Sequence, residues 1–168
     1  AFAAAERALR DGVESIRDKR AAEKLAALEK SEGRTPRYYV EALMIDRGLV
    51  RAGEVVLGSD SHSTAYGAVG AFGTGMGATD IALAFATGKT WLRVPETMKV
   101  DLVGELAEGV MAKDAILHLI GRLGIDGATY RAVEFHGAAD LTQASRITLC
   151  SMTTELGAKA GMITFPRD

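Results

Sequence analysis

Residues 54–80 read EVVLGSDSHSTAYGAVGAFGTGMGATD. Glu54 to Leu57 is a short β-branched run ended by glycine, the pattern of a strand. The stretch from Gly58 to Gly77 is polar and glycine-dense, which reads as a loop. Thr79 then offers a hydroxyl to cap an Ala-rich helix over Asp80 to Thr87, and Gly88 stands where such a helix stops. Strand, loop and helix in that order carry Asp60, Ser61 and His62 to the carboxyl end of a strand, where open α/β sheets hold their ligands.

Upstream, Phe2, Ala5, Leu9, Val13, Ile16, Leu25 and Leu28 recur at helical spacing among charged residues, with Gly33 as a stop. Thr35 followed by Pro36 opens a second helix that runs to about Arg47 and is closed by Gly48. Downstream, Pro95 interrupts the chain and Met98 to Leu106 alternates apolar and charged residues as a half-buried strand does. Ala112 to Leu123 returns to helical periodicity, with Gly124 behind it. Arg131 to Phe135 reads as a strand, Leu141 to Lys159 as mostly helical, and Met162 to Phe165 as a last strand. Alternating strands and helices predict an α/β fold with a largely parallel sheet. We expect two units, residues 1–97 with the Asp-Ser-His loop and residues 98–168 as a second α/β subdomain.

The chain has 168 residues, 48% hydrophobic and 25% charged, with a net charge of −2. A chain this long can bury roughly 70% of its unfolded surface, so it needs no covalent staple. No basic block interleaved with aromatics is present, which argues against a nucleic-acid partner. No apolar run reaches the roughly 20 residues needed to cross a bilayer. The first residues mix acids and bases evenly, unlike a signal or transit peptide, and the absence of a starting Met suggests processing or a fragment. Cys150 is the single cysteine, so there is no internal disulfide and a reducing, cytoplasmic setting is expected.

Asp60, Ser61 and His62 handle protons, and the surrounding glycines let a ligand approach the backbone. Neighbouring Ser61 and His62 point in different directions, so they should act on a bound substrate rather than as a nucleophile and base pair. Gly73 to Ala78 loosely matches a dinucleotide fingerprint but follows a loop instead of the required strand. Gly88-Lys89-Thr90 ends like a phosphate-binding loop, yet Leu83 stands where its first glycine belongs. His62, His118 and His136 lack metal-ligand spacing, so no self-contained metal site is expected. His118, inside Ile116-Leu117-His118-Leu119-Ile120, reads as a packing histidine. Glu134, between Val133 and Phe135, needs a partner such as a protonated His62, because an unpaired buried carboxylate is costly.

The run from Gly58 to Val100, GSDSHSTAYGAVGAFGTGMGATDIALAFATGKTWLRVPETMKV, closely resembles the aconitase superfamily, particularly the 3-isopropylmalate dehydratase and homoaconitase large subunits. The resemblance continues through MAKDAILHLIG, GIDGATYRAVEFHG and RITLCSMTTELGAKAGM, and covers about residues 48–168. It implies a partial three-layer α/β/α fold of the iron-sulfur domain type. It also implies dehydration and rehydration of a hydroxy-polycarboxylic acid such as 3-isopropylmalate, homocitrate or citrate, as in leucine and related amino-acid biosynthesis. The family's 4Fe-4S cluster stabilises the departing hydroxide as a Lewis acid. By the resemblance, Asp60, Ser61 and His62 match the active-site segment, and Glu134 matches an active-site glutamate that orients His62 and a bound water.

The departures are informative too. The family's cluster cysteines lie downstream of the matching segment, Cys150 matches a cysteine that is not a ligand, and one thiolate cannot hold a cluster. The upstream Asp-His pair and the downstream arginines and serine of the family site have no match, and Glu41-Ala42 stands where a His-Gln pair is usual. The resemblance therefore implies a portion of a large subunit, inactive alone, that works with the remaining large-subunit domains and a small swivelling-domain subunit. The alternative is a non-catalytic module whose partner chain supplies the cysteines.

Overall fold

In the computed structural model, residues 40–166 are described. The helix expected over the first thirty residues and the Thr35 start of the second lie outside them. What is described of the second is helix α1, Val40–Asp46, closed by Gly48 in the left-handed region at φ 64°.

Strand β1, Val55–Gly58, leads into a 3-10 helix, Ser61–Val69, and then strand β2, Phe72–Gly75. The two strands pair in parallel, Val55 opposite Phe72 and Gly58 opposite Gly75. Helix α2 spans Ala78–Thr87 and ends at Gly88, which is left-handed with its N–H donated to the Ala84 carbonyl. Strand β3 (Glu96–Asp101), helix α3 (Ala112–Leu123), strand β4 (Arg131–His136), helix α4 (Gln143–Ser151), a second 3-10 helix (Met152–Leu156) and strand β5 (Ala160–Ile163) follow. These three strands form a parallel sheet with β4 central. The expected α/β class with parallel sheets is what the chain forms.

The core follows from the sequence periods. Ala112 and Ile116 bury one face of α3, with Leu119 and Ile120 half-buried on the same stripe. Val133 and Phe135 alternate inward on β4, and Leu149 and Cys150 close the packing from α4. Burying a side chain such as Phe135 stabilises the fold by about 1.5–3 kcal/mol. The Asp114 carboxylate accepts the Met111 N–H at 2.8 Å and fixes the start of α3.

Several boundaries differ from the sequence reading. The stretch 58–77 is not a loop: it holds the first 3-10 helix and β2. Strand β2 escaped notice because Phe-Gly-Thr-Gly has poor intrinsic strand preference. Its glycines serve packing instead, since a Cβ on Gly73 would stand 2.2 Å from the Ser63 carbonyl oxygen. Helix α2 starts at Ala78 with Gly77 before it, so Thr79 lies inside the first turn rather than capping it. Strand β3 stops at Asp101, with the chain turning through Gly104 at φ 87°. The helical run breaks at Ser151 into α4 and the second 3-10 helix, where the buried Thr153 hydroxyl donates to the Cys150 carbonyl at 2.7 Å. Strand β5 begins two residues earlier than read. His118 is exposed on α3, so it is not a packing histidine.

The first 3-10 helix is tied to α4 by side chains. Thr64 donates its hydroxyl to the Ser151 carbonyl at 3.1 Å. Arg146 donates to the carbonyls of Ala68, Ala139 and Leu141 at 3.2, 2.8 and 2.9 Å. Its guanidinium also lies 5.5 Å over the Phe165 ring. These bonds hold the segment that begins with Ser61 and His62 against the three-stranded sheet and its helices.

Candidate functional site

After β1 the chain turns at Asp60, which is extended (φ −90°, ψ 139°) and caps the first 3-10 helix. Its Oδ1 accepts the His62 N–H at 2.7 Å, and its carbonyl accepts both the Ser63 hydroxyl at 2.8 Å and the Ser63 N–H at 3.2 Å. A carboxylate accepting from a backbone N–H at a helix start is a standard N-cap. Gly58 and Gly73 bracket this turn. A Cβ on Gly58 would meet the Ser63 Oγ at 1.9 Å, so both strands must be bare where the turn crosses them.

The turn delivers the His62 imidazole between two carboxylates. Nδ1 lies 3.4 Å from Asp60 Oδ1 and 3.3 Å from Ser61 Oγ, while Nε2 lies 3.6 Å from Glu155 Oε1. Ser61 and His62, expected to diverge, therefore touch. All three charged groups are exposed, and exposed pairs of this kind contribute at most about 1 kcal/mol each. The arrangement is suited to positioning an imidazole, with a proton available at Nε2 or Nδ1, more than to stabilising the fold.

Glu134 is not part of this group. Its Oε2 lies 3.7 Å from Nε2 of His136, two residues along the same strand, where alternation places both on one face. The partner proposed for Glu134, His62, instead has Glu155 beside it. Glu155 was missed because it falls in a run read only as helix. A cue was available: it is the only carboxylate between Asp140 and Asp168, within a segment that carries the family resemblance.

His62 and Asp60 line a cleft of about 860 Å³, together with Glu41, Tyr66, Lys113 and Ser151. Tyr66 is buried and its hydroxyl donates to Met44 Sδ at 3.1 Å. Burial first, then the charges of Glu41 and Asp60, push its pKa up to about 12, so the phenol stays protonated. A smaller cleft of about 220 Å³ on the far side of the turn is lined by Ser61, Thr64, Thr74 and Lys159, and shares Ser59 with the first.

An iron-sulfur cluster does not fit the residues present. Such clusters are bound by cysteine thiolates. Cys150 is fully buried in α4, and burial pushes its thiol far above its ordinary pKa, opposed by the Arg146 guanidinium. A neutral thiol sealed in the core is not a ligand. Among the described residues, no three His, Cys, Asp or Glu side chains converge as a metal site would require.

Comparison with known sequences places this geometry in context. The profile of the aconitase family (aconitate hydratase) matches residues 17–168. The homoaconitase large subunit of Thermus thermophilus is 60% identical over 124 residues, covering 72% of this chain and 30% of that protein. The 3-isopropylmalate dehydratase large subunit 1 of Deinococcus radiodurans is 58% identical over 121 residues, covering 72% and 28%. A probable methanogen homoaconitase large subunit from Methanothermobacter thermautotrophicus is 55% identical over 120 residues, covering 70% and 28%. The aligned part of the chain thus spans under a third of the length of these relatives.

Proposed function

The chain belongs to the aconitase family, and from that premise we propose that it forms one wall of the active site of a hydro-lyase acting on a hydroxy-polycarboxylic acid. Homocitrate, 3-isopropylmalate and citrate are the candidate substrates, the first two by analogy with the names of the similar large subunits. The observation that carries the reading is the His62 imidazole, held between Asp60 and Glu155 at the edge of an open cleft.

Dehydration removes a proton from carbon and expels hydroxide, which leaves readily only when protonated or bound to a Lewis acid. His62 can hold the proton that moves between a ligand in the cleft and the protein. Asp60 keeps the imidazole oriented through its cap on the His62 N–H, and Glu155 faces Nε2 from the other side. Ser61 acts with Asp60 on the ring, its Oγ lying 3.3 Å from Nδ1. We assign the His62 partner role to Glu155 and not to Glu134, which has His136. None of these roles runs through a cluster. The cysteines for one would come from outside this chain, as would the rest of the large subunit and a small subunit.

The test is a chimera. Residues 48–168 replace the matching segment of the Thermus thermophilus homoaconitase large subunit, and hydration of the unsaturated acid is followed by loss of its ultraviolet absorbance. We expect activity to survive the graft, and His62→Ala to lower kcat by about 10²–10⁴-fold, the usual scale of a lost acid or base. Glu155→Gln should cost more than Glu134→Gln. An active graft in which His62→Ala changes nothing would remove the proposal.

A further inference from the structure

We propose that Lys113 is the cation that anchors a carboxylate of the ligand in the cleft beside His62. This rests on the polycarboxylate reading above and extends it to a residue not matched to the family's site. Among the described residues, the charged groups that line this cleft are Glu41, Asp60, Lys113 and, when protonated, His62. Two carboxylates repel a polyanion, and at contact distance in a partly desolvated cleft each like-charge approach is unfavourable by an amount that must be offset locally. Lys113 is the one Lys or Arg among the described residues lining that cleft.

Its setting suits the role. Lys113 is the second residue of α3, so its backbone is fixed by a twelve-residue helix whose first turn is itself capped. The positive end of the helix dipole adds to its field. Among the described residues it takes part in no ion pair, in contrast to Lys99, whose Nζ is 2.9 Å from Asp101. The neighbouring acid, Asp114, is engaged by the Met111 N–H. The lysine of the smaller cleft differs: the Lys159 Nζ lies 5.5 Å over the Tyr130 ring, which Arg93 also covers at 4.5 Å. Lys159 thus has a partner within the fold, whereas Lys113 lines the cleft that contains the imidazole.

The 168-residue chain, labelled with nitrogen-15, is titrated with tricarballylate, a tricarboxylate without the reacting hydroxyl, while the His62 imidazole and the Lys113 amide are followed by NMR. We expect saturable shifts of both. Lys113→Gln should weaken binding by about three- to tenfold, the scale of one lost charge-assisted contact at a partly exposed site. Lys113→Arg should restore it to within about threefold, since either side chain supplies a cation. Lys159→Gln controls for net charge and should leave the affinity unchanged. Undiminished binding by Lys113→Gln, or an equal loss with Lys159→Gln, would overturn the anchor and leave the polycarboxylate reading standing. No saturable shift at His62 in the unsubstituted chain would overturn both. Unchanged backbone spectra of the variants away from the cleft establish that each is folded.

Discussion

In the cleft that Asp60 and Glu41 line lies Tyr66, a phenol whose titration the fold controls. Tyr66 has its pKa raised from the ordinary 10.0 to about 12 by burial and by those two carboxylates. The folded state therefore binds this proton more tightly than the unfolded chain. The associated stability is fully present below about pH 10 and is lost as pH rises towards 12. Urea denaturation at pH 9 and at pH 11.5 should show a steeper loss for the parent than for Tyr66→Phe; equal losses would mean that the phenol is not linked to folding. Comparing slopes avoids confusion with the hydrogen bond to Met44 that the substitution also removes. At this scale the position of Asp60, Ser61 and His62 just after a strand was legible, because a β-branched run precedes them. Glu155 was not, because it meets His62 only through the packing of two 3-10 helices distant in sequence. That Glu134 lies beside His136 and not His62 has a local explanation: a strand's period of two places residues 134 and 136 on one face, and His136 was there to be read.

Periodic elements were predictable and aperiodic ones were not. Helix α3 matches its expected bounds, Ala112–Leu123, because an apolar stripe among charges specifies both period and ends. Strand β4 extends the expected run by one residue. The 3-10 helix Ser61–Val69 buries all of Ser63 to Ala68, so no face of it is polar enough to announce a helix. Strand β2 is defined by what crosses it. Gly73→Ala should therefore destabilise the chain by about 1–3 kcal/mol, the range for overpacking a filled site, and disturb the His62 resonances. Gly88→Ala, with open space around it but φ 66°, should cost only about 1 kcal/mol and leave His62 untouched. Chemical denaturation with NMR of the imidazole checks both; equal effects at the two positions would mean that backbone strain, not crowding over β2, sets the cost.

Over the whole molecule, large apolar side chains remain in solvent among the described residues, including Trp91 at 82% exposed, Val94 at 85%, Val103 at 94% and Ile125 at 80%. A chain that aligns with under a third of its relatives' length is expected to present surfaces that other parts of such a protein would cover. Sedimentation velocity on the chain should show concentration-dependent self-association, and Trp91→Ser with Val94→Ser should reduce it; a monodisperse monomer at high concentration would count against exposed docking faces. The parallel pairing of every strand among the described residues has a further consequence. All three strand pairs are parallel, so each can form only after an intervening helical crossover has closed. Contacts of that kind are far apart along the chain and form slowly. The segment Asp60–His62 lies within the crossover that joins β1 to β2, so the imidazole acquires its position only when that sheet closes. During synthesis or refolding, a chain stalled short of β2 carries Asp60, Ser61 and His62 with nothing to hold them in place.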